Sequence, residues 1–244
     1  MLDRLHVEPD PWLGRVLARP AWRLLAEPTR DRRPGGRALD DVAGFTTARA
    51  DVDDVRWVRE LETAGFGIVD VGLTFAADGI DARSHPAVRF ARADDAAGVR
   101  AVAASAFRYS RFHLDPWIPD EIADRVKADW ATNYFVGQRG DGMIVAEIGG
   151  EIAGFLQVLL GSDGRVVIDL VAVRADARGK GLAAGMIAHA ATHGTGDSRK
   201  PAGVVVGTQA ANIPSVRLYE ALGFRLQRTQ FVLHRHAPFA EVSE

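Results

Sequence analysis

The sequence predicts an α/β protein in two unequal parts, and three observations carry that reading. The segment Val166–Phe224 alternates element types: a β-branched run (Val166–Val173), a turn Arg178-Gly179-Lys180-Gly181, an Ala-rich helical pattern, a second β run (Gly203–Thr208) and a further helix. Met143–Ile148 and Glu151–Leu160 read as strands joined through Gly149-Gly150, a favoured two-residue hairpin turn. A strand–helix–strand pattern over Phe45–Ala76 precedes them, separated by the linker Asp78–Pro86. A smaller α/β unit is therefore expected over residues 1–85 and a larger one over 86–244.

Taken in order, the first forty residues are rich in Pro and Arg, with a strand expected near Ala21–Ala26 and a flexible loop over Arg30–Gly36. Phe45–Arg49 reads as a short strand. Asp51–Ala64 reads as a helix with Val52, Val55, Val58 and Leu61 on one side and Gly65 as its cap. Phe66–Ala76 is the second strand of that unit. A strand over Ala87–Arg92 follows, then a helix to Phe107 capped by Asp94.

The loop Arg108–Asp120, RYSRFHLDPWIPD, mixes cationic, aromatic and hydrogen-bonding side chains, a composition suited to gripping a polar ligand or, equally, to capping the core. A helix over Glu121–Phe135 presents Ile122, Val126, Trp130 and Tyr134, while Lys127 and its other charges read as solvated surface. The helix after Gly181 carries Leu182, Met186, Ile187 and Ala190 on one face and ends at His193-Gly194. Asn212 stands where an N-cap belongs, with Pro214 in the first turn. Tyr219, seven residues on, returns to the same face after two turns. Gly223 ends this helix, and Phe224–His234 reads as the closing strand.

Composition bounds the partners. The 244 residues are 47% hydrophobic and 25% charged, ordinary for a globular protein. A net charge of −2 creates no global field for nucleic acid or an anionic membrane surface. No apolar run approaches the roughly 20 residues of a membrane helix, and Met1-Leu2-Asp3-Arg4 lacks the pattern of a signal peptide. A cytoplasmic protein is the expectation. With no cysteine there is no disulfide, thiolate metal site or cysteine nucleophile. The seven histidines are scattered; His189 and His193 have i, i+4 spacing, but His189 reads as helix surface, and no metal is expected.

The turn before the Ala-rich helix is informative. A helix start favours acidic residues, yet this one lies behind Arg174, Arg178 and Lys180, with Gly179 and Gly181 clearing space for close backbone approach. An exposed basic turn and a cradle for phosphate oxygens are both open readings of these residues alone. In full, the strand, Arg-Gly-x-Gly-Leu-Ala, helix, strand, Asn-x-x-Ser-x-x-Leu-Tyr-x-x-x-Gly-Phe resembles the GNAT superfamily of acyl-CoA N-acyltransferases.

That resemblance implies a mixed, mostly antiparallel central sheet flanked by helices, and acetyl-CoA as acyl donor. It implies that Arg178, Gly179, Lys180, Gly181, Leu182 and Ala183 bind the CoA pyrophosphate, and that backbone groups of Leu170, Val171, Ala172 and Val173 bind pantetheine. Asn212 would contact the cofactor and Tyr219 would protonate the departing thiolate. Asp176, three residues before Gly179, departs from the family's usual Gln or Arg and puts one side-chain contact in doubt. SRFHLDP, the helix ending at Trp130 and Asn133, GTQAANIPSVRLYEALGF and the terminal TQFVLH are similar to one branch, the dTDP-4-amino-4,6-dideoxygalactose (dTDP-fucosamine) acetyltransferases. This likeness covers roughly residues 61–234 and is weakest over the first fifty.

The expected reaction is acetyl transfer to the amine of a dTDP-linked amino-deoxysugar, direct because there is no cysteine to carry the acyl group. Val171 or Val173 would offer an N–H to the thioester carbonyl. For the base that helps deprotonate the amine, Asp70 is favoured over Asp169, which interrupts an apolar run and is either catalytic or cleft-facing. His113 is a third candidate, histidine being the side chain that ordinarily titrates nearest neutrality. Arg111 is the expected partner of the nucleotide diphosphate, and Phe112 or Trp117 would stack on the pyrimidine. Acceptors of another kind (a protein N-terminus or small amine such as an aminoglycoside), a non-catalytic acyl-CoA sensor, and a homodimer are further readings.

Overall fold

The computed structural model describes residues 5–25, 37–196 and 200–239, so the Arg30–Gly36 loop expected from sequence lies outside the described residues. In chain order the elements are β1 (His6–Pro9), α1 (Pro11–Leu17), β2 (Ala21–Leu24), β3 (Arg37–Ala38), β4 (Gly44–Asp51), α2 (Val55–Thr63), β5 (Gly67–Ala77) and β6 (Val88–Phe90). Then come α3 (Ala96–Ala106), α4 (Asp120–Thr132), β7 (Gly142–Ile148), β8 (Glu151–Leu160), β9 (Val166–Val173), α5 (Leu182–His193), β10 (Val204–Gln209), α6 (Ile213–Ala221) and β11 (Arg225–Ala237).

The strands form one 11-stranded sheet in the order β3-β1-β2-β4-β11-β5-β10-β9-β8-β7-β6. Among the described residues, β9–β10 and β2–β4 pair in parallel and the remaining pairs are antiparallel. The last strand does not lie at an edge. β11 runs between β4 and β5, and β5 in turn fills the place between β11 and β10. Two early strands thus cover both hydrogen-bonding edges of the final one, edges that would otherwise invite unwanted pairing.

Alternation sorts the side chains between two faces. On one face α5 and α6 pack Met186, Ile187 and Tyr219 over Phe75, Ile168 and Val206, while α2 packs Leu61 over Ala48 and Leu233. On the other, α3 and α4 cover Met143, Phe155 and Leu170, and α1 with the 108–119 loop covers Phe45. The predicted hairpin is present, with Gly149 and Gly150 at φ 63° and 82°, the paired positive angles of a type I′ turn.

Several boundaries differ from expectation for local reasons. Asp51 does not open a helix. It stays in β4 opposite Gln230, and both its oxygens accept from Arg228 (2.6 and 2.7 Å). Asp54 is the N-cap, accepting from Trp57 N at 3.0 Å. Asp95, not Asp94, stands at the N-cap of α3, and its carboxylate makes no cap bond there but turns back to accept from Arg92 N (2.6 Å) and from Arg89 (2.7 Å). Lys127 is buried, with Nζ 4.9 Å from the Phe107 ring centroid and 4.8 Å from that of Trp130, and so is not surface. The helical periodicity was obeyed; the apolar stem is simply long enough to carry an ammonium onto two aromatic faces.

The position of α5 rests on a close approach. A Cβ at Gly185 would press into Cβ of His85 and lie 2.9 Å from its backbone N. Alanine improves a helix interior by about 1 kcal/mol over glycine, yet here Gly185→Ala is expected to destabilise by about 1–3 kcal/mol through overpacking, measured by chemical denaturation. A stabilised variant would show that this contact does not set the helix.

Candidate active site

The centre of the site is a place where two strands part. β10 pairs with β9 only at Val204–Val166, Val205–Val167 and Val206–Ile168; its remaining residues pair with β5 alone. The register of β8 against β9 slips at the same level, from Val158–Ile168 to Gln157–Leu170. Asp169 is therefore an extra residue in a β-bulge, which bends and twists the strand that carries it. The bulge also exchanges faces: Val166 and Ile168 pack with the α5/α6 core, Leu170 and Ala172 with the α3/α4 core. Beyond it, among the described residues, one edge of Leu170–Val173 has no strand against it.

Asp169 is tightly engaged. Its oxygens accept from Trp130 Nε1 (2.8 Å), Arg139 Nε and Nη2 (2.7 and 2.6 Å) and Gln157 Nε2 (3.2 Å). A carboxylate with these partners is a structural tie between β9, β8 and α4, and it lacks the free lone pairs a base would use.

The turn into α5 is open. Gly179 and Gly181 both have φ 76°, no side chain caps the helix, and the space where their Cβ atoms would be is empty. The first backbone N–H groups of α5, from Leu182 and Ala183, have no carbonyl of their own helix to meet, which suits an anion. Lys180 is exposed beside them. Arg178 turns back, its Nε on Val173 O (3.3 Å) and Nη2 on Ala106 O (3.5 Å), and so pins the turn to the end of β9. Arg174 is taken by Asp176 and Glu151 (2.7 and 2.8 Å), so Asp176 serves an ion pair at the surface.

Across the splay, Asn212 accepts from Ser215 N (3.3 Å) as the N-cap of α6 and donates to Thr208 Oγ1 (3.3 Å). Tyr219 is buried, its ring tilted against Phe75 (5.9 Å) and Phe224 (5.6 Å). Burial pushes its phenol up from the ordinary value, with a hydrogen bond from Ser215 opposing, so the hydroxyl keeps its proton.

The acceptor-side candidates separate. Asp70 in β5 lies opposite Val232 of β11, and Val232 lies opposite Arg49 of β4, so the three share one row and one face. Asp70 is buried, its Oδ2 without a partner. Desolvation pushes its carboxyl up to about 6, against a hydrogen bond from Val71 N and the charges of Arg49 and Arg111. His113 is closed off, bonded to Ser110 Oγ (2.6 Å) and Asp124 Oδ1 (3.0 Å). Phe112 is fully buried against Phe45 and His234 and cannot stack on a ligand; Trp117 is 74% exposed over His236, away from the cavity.

What holds the 108–119 loop in place was not visible in the sequence. Asp115 Oδ2 accepts from His234 Nδ1 (2.6 Å) and His236 Nε2 (2.8 Å), all three drawn together at the C-terminal end of β11. These are also residue types that ligate metals. Their mutual hydrogen bonds, with Arg19 acting on Asp115 and Arg111 on His234, make them an anchor for the loop. Burial pushes His234 down to about 4, so it is neutral.

A cavity of about 970 Å³ lies beside the bulge, bounded there by Trp130 and Arg139. β2 stops pairing with β4 at Arg23–Thr47, and the cavity runs along the freed edge of β4, from Trp57 of α2 to Trp130 and Arg139 beside the bulge. Arg49 and Arg111 line it.

With this geometry in view, comparison with known proteins is direct. Residues 104–224 match the acetyltransferase (GNAT) family. It is similar to the spore coat polysaccharide biosynthesis protein SpsD of Bacillus subtilis (strain 168), 31% identical over 140 residues, 57% of this chain and 47% of that one. The chain spans about half the length of that relative. Among solved structures, a functionally unknown conserved protein from Staphylococcus epidermidis ATCC 12228 matches with TM-score 0.64 at 14% identity, over 97% of this chain and 92% of its own. A tandem GNAT protein from the clavulanic acid biosynthesis pathway matches with TM-score 0.54 at 16% identity, over 90% and 76%. A GCN5-related N-acetyltransferase from Kribbella flavida gives 0.51 at 16%, over 81% and 70%. At these identities the likeness is one of fold.

Asp169→Ala would leave Arg139, Trp130 Nε1 and Gln157 without their acceptor. Because Arg139 is part-exposed, the expected cost is about 2–4 kcal/mol, at the lower end for breaking a buried ion pair, read from denaturant midpoints. A loss below about 0.5 kcal/mol would mean that the bulge is held by other contacts.

Proposed function

We propose that the chain is an N-acetyltransferase that moves acetyl from acetyl-CoA directly to the amine of a nucleotide-linked amino-deoxysugar, a dTDP-4-amino-4,6-dideoxyhexose, in the cytoplasm. The observation that carries the reading is the cavity lined by Arg49, Arg111 and Arg139, which reaches the Asp169 bulge through its partners Trp130 and Arg139. The name of the B. subtilis relative, a polysaccharide biosynthesis protein, supports a sugar acceptor. A cavity rich in guanidinium groups favours an anionic acceptor and disfavours a polycation such as an aminoglycoside.

In this reading the turn from Arg178 to Ala183 receives the cofactor's pyrophosphate, and the unpaired edge of Leu170–Val173 receives its pantetheine arm. Val171 or Val173 donates an N–H to the thioester carbonyl and stabilises the tetrahedral oxyanion. Asp70 accepts the proton that the acceptor ammonium must lose, directly or through water. The amine then attacks the carbonyl carbon, the C–S bond breaks, and Tyr219 gives its proton to the departing sulfur. Asn212 contacts the cofactor from across the splay. Asp169 positions, and Arg111 meets the acceptor's phosphates.

Thiol release from acetyl-CoA, offered nucleotide amino-sugars, aminoglycosides and peptides in parallel, tests the acceptor. Fast release with a dTDP-amino-sugar is expected; release with peptides or aminoglycosides alone would reject it, and binding without any release would favour an acyl-CoA sensor. Tyr219→Phe is expected to lower kcat by about 10²–10⁴, the usual worth of a general acid, with KM little changed. An effect confined to KM would remove the acid role. Because Asp70 acts as a base only when ionised, kcat/KM should fall below about pH 6. Asp70→Asn should slow the reaction and abolish that acid limb. Retention of the limb would assign it to another group.

A further inference from the structure

One edge of β4 is bare where the strand meets the cavity. The bonds at its two ends tell its edges apart. Phe45 N–H donates to Pro20 O (2.8 Å) on the β2 side, and Val52 N–H, just past the strand, donates to Thr229 O (3.5 Å) on the β11 side. In a strand, the N–H and C=O of one residue point the same way and those of the next point the other way. Thr47, Arg49 and Asp51 therefore turn their backbone groups toward β2, while Thr46, Ala48 and Ala50 face β11. β2 pairs with β4 at Ala21–Phe45, Trp22–Thr46 and Arg23–Thr47 and no further. Past that point the Asp51 carbonyl accepts from Asp54 N (3.1 Å). Arg49 N–H, Arg49 C=O and Asp51 N–H are left without a partner among the described residues.

These groups form a short row of donor, acceptor and donor, and the residues that carry it line the cavity. A bare strand edge ordinarily invites another strand. Here β2 closes one end of the stretch and the turn into α2 closes the other, so a compact ligand suits it better than an added strand. Trp57 of α2 lines the same cavity, half-buried against the core that contains Ala48 and Ala50. The other two tryptophans of the cavity wall are engaged. Trp130 donates to Asp169, and Trp12 stands edge-on to Trp130 with ring centroids 5.8 Å apart. Trp57 has no ring against it among the described residues, and it is the aromatic surface beside the bare edge.

We propose that this end of the cavity is a nucleobase site selective for the imide edge of thymine or uracil. Arg49 N–H and C=O pair with one carbonyl and N3–H of the base, Asp51 N–H faces the second carbonyl, and Trp57 stacks on the ring. An imide presents acceptor, donor and acceptor in a row, the complement of the strand edge. Cytosine presents two acceptors and a donor, guanine one acceptor and two donors, and adenine one of each, so each leaves a backbone group unmatched. Stacking on an aromatic side chain with hydrogen bonds to the Watson–Crick edge is a common way of reading a single unpaired base. Because N1 stands opposite N3 in the ring, the attached sugar and phosphates point away from β4, into the space that Arg111 and Arg139 also line. The inference rests on the reading that the acceptor is nucleotide-linked, and it deepens that reading by assigning the groups that choose the base. It also moves the stacking role from Phe112 and Trp117 to a residue of the N-terminal part of the chain.

The test is titration calorimetry of the full chain saturated with CoA, so that the Gly179–Ala183 turn is already filled. The probes are dTDP, N3-methyl-dTDP, dCDP and pyrophosphate. dTDP should bind at least about tenfold more tightly than the other three, since a polar group left unmatched in the site costs about that much. Trp57→Ala should weaken dTDP binding about tenfold or more, the worth of a base stacked on an aromatic ring, and Trp57→Phe should restore most of the loss. In ¹⁵N spectra the amide protons of Arg49 and Asp51 should move downfield with dTDP and stay in place with pyrophosphate. If Trp57→Ala fails to fold, judged by its unfolding temperature, the comparison of dTDP with N3-methyl-dTDP on the native chain still decides. Absence of dTDP binding, or N3-methyl-dTDP binding as tightly as dTDP, overturns the proposal. Selection for dTDP with folded Trp57→Ala unimpaired and both amides unmoved places the base elsewhere and overturns it too. If dTDP is selected as expected and no nucleotide amino-sugar yields thiol, the base site stands and the proposed acceptor falls. If Trp57→Ala acetylates dTDP- and dCDP-linked amino-sugars as well as the native chain does, the base site falls and the acceptor class stands.

Discussion

The carboxylate of Asp169 receives four hydrogen bonds from three side chains, and through them it fixes the level at which β9 leaves β10. An extra residue in a strand is tolerable only if its unpaired groups find partners and the resulting bend is useful. Here the bend frees one edge of Leu170–Val173, turns Leu170 and Ala172 toward α3 and α4, and brings Trp130 and Arg139 to the mouth of the cavity. The open turn before α5 stands at the far end of the same strand, pinned to it by Arg178. The edge proposed for the cofactor and the wall proposed for the acceptor are therefore set by one local irregularity.

The side proposed for the acceptor is built by chain segments far apart in sequence. β11, the last strand, is held between β4 and β5, so the row Arg49–Val232–Asp70 assembles only when both halves of the chain share one sheet. The loop carrying Arg111 is tied to β11 by Asp115 and two histidines. Because both ties depend on β11, the residues that would meet the acceptor are coupled to the sheet's non-local pairing. Contacts of that kind are the ones whose loop-closure entropy is largest.

The distribution of charge follows the same division. At the rim, arginines are matched by carboxylates at hydrogen-bonding distance. In the cavity wall, Arg49 and Arg111 have no carboxylate at that distance among the described residues, and Arg111 lies over the ring of Phe112. A fold optimised for stability alone would pair or replace such groups.

Local patterns were legible in the residues themselves. The Gly149-Gly150 hairpin, the glycine turn before α5, the Asn212 cap and the placing of Tyr219 one helical face away all follow from short-range spacing and backbone preference, which a linear sequence states directly. Even the oddity of Asp169 in an apolar run was visible, though not its cause, because a bulge is defined by the partner strand. Other features needed tertiary contacts. Asp115 meets His234 across 119 residues, a pairing with no periodicity to announce it. Lys127 looks like a surface residue until Phe107 and Trp130 close over it, and Phe112 looks available until Phe45 and His234 cover it. Arg49 drew no notice in a short strand. Sequence determined which segments are helix, strand and turn, because those choices are made within a few residues. Only the tertiary structure decided which charges are buried, paired or left free, because that depends on what the rest of the chain brings within a few ångströms.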